Sequence, residues 1–134
     1  MRALKTAAAT LSVVLMASCS GLSDEARGMV GDYYIPELSS DEPIMELNDD
    51  GSCVVHAIKK DVLSYSVKGE WNVLNDSLIM ELDPATLAWE GDSALIGDIP
   101  VRMAKRVTDF NGLSLTLTVG GVDYVYFRHV DAKE

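Results

Sequence analysis

The chain has 134 residues, and its 21 Asp and Glu residues against 11 Lys and Arg residues give a formal net charge of −10. This length suits one domain that can bury a modest core. The acidic balance argues against a nucleic-acid partner, whose phosphates need basic side chains, and against binding to anionic lipid surfaces.

The first nineteen residues have the order of a secretory signal. Arg2 and Lys5 form a basic start, and an apolar run over residues 7–17 follows it. That run is shorter than the roughly 20 residues that a membrane-spanning helix needs, but it has the length of a signal core. It ends in LMASC at 15–19, which resembles the lipobox of bacterial lipoproteins. The resemblance implies that residues 1–18 are a signal peptide that is removed.

Cys19 is therefore predicted to be the site of lipid attachment. The resemblance implies that its thiol takes a diacylglyceryl group before cleavage on its N-terminal side, with palmitate among the acyl chains. Two or more such chains hold a small domain stably on a membrane. Ordinary secretion is the alternative, and Cys19 could then pair with Cys53 in an oxidising compartment. If Cys19 is acylated, Cys53 is a lone thiol that we expect to be buried as a small hydrophobe.

The residues after Cys19 bear on where the protein is located. Ser20 occupies the position at which an Asp would resemble the inner-membrane retention signal of some Gram-negative bacteria. The resemblance therefore implies an outer-membrane lipoprotein of the cell envelope. Residues 23–25 are similar to the acidic stretch that sends some lipoproteins to the cell surface, so the periplasmic face and the cell surface both stay open. The small, polar composition of residues 19–28 predicts a flexible tether.

From residue 29 onward the hydrophobic pattern has a period of two. Leu63, Tyr65 and Val67, for example, alternate with Ser64 and Ser66, as expected for antiparallel strands with one buried face. Asn-Asp and Gly-Gly pairs separate such runs at the spacing of hairpins. The pattern predicts eight or nine strands, at about 29–35, 43–48, 52–59, 61–68, 69–74, 77–82, 100–108, 112–119 and 121–129.

These consecutive hairpins predict an all-β domain over residues 29–130, followed by a C-terminal tail at 131–134. A meander that closes into a small barrel of about eight strands removes its exposed edges. Gly69 interrupts one long alternating run and predicts a bend or bulge rather than a strand end. Residues 83–91 contain Asp, Pro and a final Gly in the order of a short helix near 84–90. An ordered loop across one barrel mouth is the alternative for this segment.

Four segments in this order resemble the small lipocalin-like domains of bacterial lipoproteins. They are VGDY at 30–33, LNDDG at 47–51, the middle hairpin at 65–78, and the closing hairpin at 113–128. The resemblance implies that a late arginine packs over an aromatic residue of the first strand and helps close one end of the barrel. Those residues are Arg128 and Tyr33 here, with Tyr in place of the usual Trp. Such barrels often bind small apolar ligands in their mouths, but fold does not determine function.

Metal binding and catalysis have little support in the pattern. His56 and His129 each lie on a predicted strand without a second ligand at metal-binding spacing. No G-x-S-x-G turn marks a nucleophilic serine. We therefore predict a protein that is not an enzyme and that needs no metal or cofactor.

The aromatic residues are the candidates for ligand contact. The alternation places Tyr65, Trp71, Tyr124 and Tyr126 on inward faces, and Trp89 lies on the irregular segment. Such residues either fill the core of a small barrel or line a cleft in which their polar ends orient a ligand.

Two functions are therefore expected. One is a lipid-anchored, non-catalytic module that binds a small apolar ligand. The other is an accessory lipoprotein with a filled barrel that docks a larger envelope protein complex. A continuous cavity would favour the first, and an exposed apolar patch on a filled barrel would favour the second.

Overall fold

A computed structural model describes residues 21–128. Its strands form one closed antiparallel barrel in which each strand pairs with the next and the last pairs with the first. The eight strands are β1 (Gly31–Tyr34), β2 (Met45–Leu47), β3 (Ser52–Lys59), β4 (Leu63–Leu74), β5 (Ser77–Gly91), β6 (Arg102–Phe110), β7 (Ser114–Val119) and β8 (Val122–Arg128). A short helix, α1 (Asp24–Gly28), precedes them, and a 3₁₀ turn (Ser93–Leu95) lies between β5 and β6. The predicted all-β barrel of about eight strands is confirmed.

The hairpin turns follow from local backbone preferences. Asn75 and Asp76 have φ values of 53° and 62°, and they join β4 to β5. Gly120 and Gly121 have φ values of 58° and 81°, and they join β7 to β8. Two consecutive positive φ angles are typical of the two-residue turn that matches the right-handed twist of a hairpin.

The predicted runs at 61–68 and 69–74 are a single strand, β4, that passes through Gly69. The irregularity in its pairing lies between Ser66 and Lys68, not at Gly69 as predicted. A Cβ atom at Gly69 would run into the carbonyl oxygen of Glu81 and would lie 2.8 Å from Cα of Leu82. The glycine therefore permits a close approach of two backbones rather than a strand end.

The segment at 84–90 is strand and bulge, not a helix, and the short helical turn lies just beyond it at Ser93–Leu95. Residues 84–87 bulge out of β5 opposite the single residue Val67. The bulge is held by Thr86, whose Oγ1 accepts from the Lys68 amide at 2.8 Å and donates to the Asp83 carbonyl at 2.6 Å. Pro84 has no N–H that could donate a hydrogen bond to a neighbouring strand. The hydrogen bonds of Thr86 replace the missing strand pairing across the bulge, and β5 continues beyond it.

The barrel has two dissimilar ends. The closed end carries the turns at 48–51, 75–76 and 111–113, together with α1. The open end carries the turns at 60–62 and 120–121 and two longer connections at 35–44 and 92–101. Neither helical segment of the described residues is long and apolar enough to cross a bilayer.

The predicted flexible tether is wrong for residues 21–28, because α1 is docked on the closed end. Leu22, Ala26 and Met29 are buried in the barrel core. Ser23 caps the helix with its side chain, which accepts from the Ala26 amide. The spacing of the three apolar residues is that of one helical face, and an acidic first turn after a capping serine is a helix start. The tether was predicted because most residues of the segment are small or polar, and that composition is also typical of a flexible linker.

The core lies between α1 and the middle of the barrel. It contains the predicted core residues Trp71, Leu115 and Tyr126, which are 4%, 0% and 8% exposed. The remaining members are Leu22, Ala26, Met29, Tyr33, Met45, Leu47, Cys53, Val67, Val73, Leu78, Met80, Leu82 and Leu117. These packed side chains fill the closed half of the barrel.

Candidate functional site

Among residues 21–128, eight of the twelve exposed large hydrophobic side chains lie at the open end of the barrel. We call this set the open rim. Its members lie in the connections and strand ends of that end: Leu38, Val62, Trp89, Leu95, Val101, Val119, Val122 and Tyr124. Exposed large hydrophobics scattered singly are normal on a protein surface, but a concentration of them indicates an interaction site.

The rim is exposed because strand pairing stops before the open end on two sides. The last pair between β5 and β6 joins Glu81 to Arg102, so the part of β5 beyond Asp83 pairs only with β4. The register between β8 and β1 contains two pairs, of which the last joins Phe127 to Tyr34. On these two sides β5 therefore extends past the start of β6, and β8 extends past the end of β1.

The bulge in β5 positions an aromatic residue of β5 directly beside one of β4. Trp89 is the direct cross-strand neighbour of Tyr65, and Ala57 continues the same row on β3. Tyr65 packs partly against the core, whereas Trp89 is 52% exposed. The two line a groove of about 320 Å³ together with residues that include His56 and Glu90.

Exposed carboxylates surround the rim. We call them the acidic ring, and its members are Glu37, Asp41, Glu42, Asp61, Glu90, Asp92, Asp98 and Asp123. Lys59 and Lys60 are the lysines at the 60–62 turn. The open end therefore combines exposed apolar side chains with mainly negative charged side chains.

The structure does not gather the five predicted ligand-contacting aromatics in one cleft. Trp71 and Tyr126 belong to the buried core, so no ligand reaches them without displacing core side chains. Tyr124 does share an inward face with Leu117, as the alternation predicts, but it is 46% exposed because its hairpin extends beyond the paired part of the barrel. Tyr65 and Trp89 are the pair that the structure brings together.

Tyr33 and Arg128, the residues expected to close the barrel, are paired in register on β1 and β8. Tyr33 is completely buried, and its hydroxyl donates to the Met29 carbonyl at 2.6 Å. Burial raises the pKa of the Tyr33 phenol to about 12, although the nearby Arg128 guanidinium opposes the change. The tyrosine thus connects the first strand to the end of α1.

The Arg128 side chain joins the end of β8 to the segment before β1 and to the 111–113 turn. It donates to the carbonyl oxygens of Gly28 at 3.1 Å, Val30 at 3.0 Å and Gly112 at 2.8 Å. The aromatic ring beneath its guanidinium is that of Phe110, whose centroid is 5.3 Å away, rather than that of Tyr33. The cation–π partner implied by the lipocalin resemblance is therefore replaced by another ring.

One polar pair was not foreseen from the sequence. His56 Nε2 lies 2.5 Å from Glu46 Oε2, and both side chains are partly buried. The pair connects β3 to β2, and its members are ten positions apart in the sequence, so no local pattern predicts it. Within residues 21–128 no group of three or more His, Cys, Asp or Glu side chains is arranged to hold a metal ion.

Cys53 is a free, completely buried thiol on β3. Burial raises the pKa of the Cys53 thiol to about 11, with a smaller contribution from the Glu70 carboxylate. A thiol that is neutral and without solvent access is unreactive, so Cys53 acts as a small apolar core residue.

Comparison with family models, with curated proteins and with solved structures found no significant match to this chain. Function must therefore be inferred from the geometry described above.

Proposed function

We propose that this chain is a lipid-anchored envelope lipoprotein of accessory type, which docks a larger envelope protein through its open rim. The observation that carries the proposal is the contrast between the two halves of the barrel. The closed half is filled with packed side chains, whereas the open half exposes a patch of apolar side chains within an acidic ring.

A protein partner accounts for this surface better than a small molecule. The rim draws its residues from β5, β7, β8, the 60–62 turn and both long connections, so it is broad rather than a pocket. Trp and Tyr residues such as Trp89 and Tyr124 are enriched among the residues that dominate binding energy at protein interfaces. The acidic ring would steer a basic partner into place and would make its association rate dependent on salt.

The anchor in this proposal is an acylated Cys19, which lies outside the described residues. The lipobox resemblance and the signal that precedes it support acylation. The burial of Cys53 supports it further, because a disulfide to Cys19 would need the barrel to open. Ser20 after the cysteine favours the outer membrane as the destination.

The anchor is tested by the mass and location of the protein. We expect the intact mass from the membrane fraction to exceed that of the polypeptide beginning at Cys19 by the attached lipid. Cys19→Ala should release the protein from the membrane. A variant that stays membrane-bound, or a native Cys19–Cys53 disulfide, would refute the proposed anchor.

The docking surface is tested by photo-crosslinking in cells. A photoreactive residue is placed at Val122 on the rim or at Leu74, which is exposed to a similar extent (48% against 53%) but lies at the closed end. We expect one discrete protein adduct from Val122 and not from Leu74. In purified components that adduct should weaken with rising salt and on Trp89→Ser. Identical adduct patterns from both positions would show that the rim is not the docking surface.

The groove beside Tyr65 and Trp89 supports a second candidate, the binding of a small apolar ligand. Its volume of about 320 Å³ lies at the lower end of the range for ligand sites, about 300–1,000 Å³. Native mass spectrometry of the purified protein would show whether a small molecule is retained. A ligand that is lost on Trp89→Ala but kept on Leu74→Ala would favour this function.

A further inference from the structure

We infer that the closed end of the barrel lies against the lipid headgroups of the anchoring membrane and that the open rim points away from that membrane. The inference rests on the proposed acylation of Cys19. It adds an orientation and assigns a different task to each end of the barrel.

The first step is the short distance between the anchor and the folded domain. The chain is attached to the barrel from Gly21 onward, because the Asn72 side chain donates to the Gly21 carbonyl at 3.1 Å and accepts from the Ser23 amide at 2.9 Å. The Ser23 hydroxyl also donates to the Val73 carbonyl at 2.7 Å. Ser20 alone separates Cys19 from the attached segment. Two residue steps span at most about 7 Å.

The second step is the position of that attachment. Asn72 and Val73 lie near the end of β4 that enters the 75–76 turn, so the chain leaves the barrel at the closed end. Leu63, at the open end of the same strand, is nine residues away. At about 3.3 Å per residue this is roughly 30 Å of strand. The usual tilt of barrel strands, about 35–45°, reduces it to a height of roughly 20–25 Å.

The two distances together restrict the orientation. A leash of about 7 Å keeps the attachment point at the headgroups, and the rim then stands well beyond its reach on the aqueous side. The docked partner is therefore expected to approach from the aqueous side, as a soluble protein or a domain that projects from a membrane.

The orientation is tested with the full acylated protein in phosphatidylcholine vesicles that contain a lipid with a nitroxide headgroup. Asp49→Cys and Asp98→Cys each replace one exposed aspartate, at the closed and the open end respectively, and each carries the same fluorophore. Protein with buried Cys53 as its sole thiol gives the labelling background. We expect the nitroxide to quench the label at position 49 several-fold more than the label at position 98.

A variant with twelve Gly and Ser residues inserted between Ser20 and Gly21 provides the matched control. A flexible leash of that length has a root-mean-square span of about 19 Å, so the difference in quenching should largely disappear. Equal quenching of the two labels without the insertion would overturn the inferred orientation. A difference that survives the insertion would show that the short leash is not its cause. Failure of the wild-type protein to float with vesicles would refute the anchor itself, together with the orientation.

Discussion

Trp71→Ala is the substitution that most directly tests the packed closed half of the barrel. Trp71 is 4% exposed on β4. Its indole N–H donates to the Asn48 carbonyl at 2.8 Å, and its backbone N–H donates to the Gly51 carbonyl at 3.0 Å. The side chain therefore fills the core and also fixes the turn between β2 and β3.

The magnitude follows from the area that the indole buries. About 200 Å² of burial at about 25 cal/mol per Å² corresponds to about 5 kcal/mol. The compactness of real unfolded chains reduces this value by roughly 10–40%. Loss of the hydrogen bond to Asn48 adds about 1 kcal/mol. We therefore expect Trp71→Ala to lower the free energy of unfolding by about 4–5 kcal/mol, which is at the upper end of the range for large core truncations.

The assay is urea unfolding followed by circular dichroism, because each variant keeps only one tryptophan for fluorescence. Trp89→Ala is the matched control, since Trp89 is 52% exposed on the open rim. The control should lose less than about 1 kcal/mol, as surface substitutions usually do. A loss under about 1 kcal/mol for Trp71→Ala, or equal losses for the two variants, would refute the described packing of the closed half.

Three further predictions concern other features of the barrel. Gly69→Ala should cost about 3 kcal/mol in urea unfolding, because its Cβ would meet the backbone of β5; Gly97→Ala, with nothing within 4 Å of the new Cβ, is the control and should be nearly neutral. Arg128→Lys should cost about 2–3 kcal/mol, because one ammonium cannot replace a planar fork that binds three carbonyls, and melting should show a drop of about 10 °C or more; an unchanged melting temperature would contradict the assigned role. Burial raises the pKa of Cys53 to about 11 and of Tyr33 to about 12, so the stability that comes from keeping both groups neutral is complete below about pH 9 and is lost as the pH rises from about 9 to 12. Urea midpoints measured across that range should fall, and a constant midpoint would contradict the burial of both groups.

Several local features of the fold could be predicted because their physical causes are local. The alternation around Trp71 and Leu115 correctly identified the buried face of their strands. The Asn75-Asp76 and Gly120-Gly121 turns were identified because few residues adopt positive φ without strain. The helix predicted near 84–90 was wrong because its proline and aspartate signals also suit a bulge, and only the hydrogen bonds of Thr86 distinguish the two.

The candidate site could be predicted only in part. Tyr65 and Trp89 were both proposed as ligand contacts, but their direct pairing depends on how many residues the bulge of β5 contains. Tyr124 and Tyr126 have the same alternation, yet one is exposed and the other is buried. The difference arises because β8 extends past the end of β1. The length of β1 cannot be predicted from the residues around Tyr124, because the two segments are far apart in the sequence.

The sequence by itself determined the fold class, the turns at 48–51, 75–76 and 120–121, and the inward face of the strands around Trp71 and Leu115. These depend on side-chain period and backbone conformation, which are properties of neighbouring residues. Only the tertiary structure decided that α1 covers one end and that, at the other end, β5 and β8 extend past their neighbours β6 and β1. It also decided that Arg128 lies over Phe110. These features depend on contacts between segments that are far apart in the chain, and their energies come from burial and hydrogen bonds that exist only after the barrel has closed.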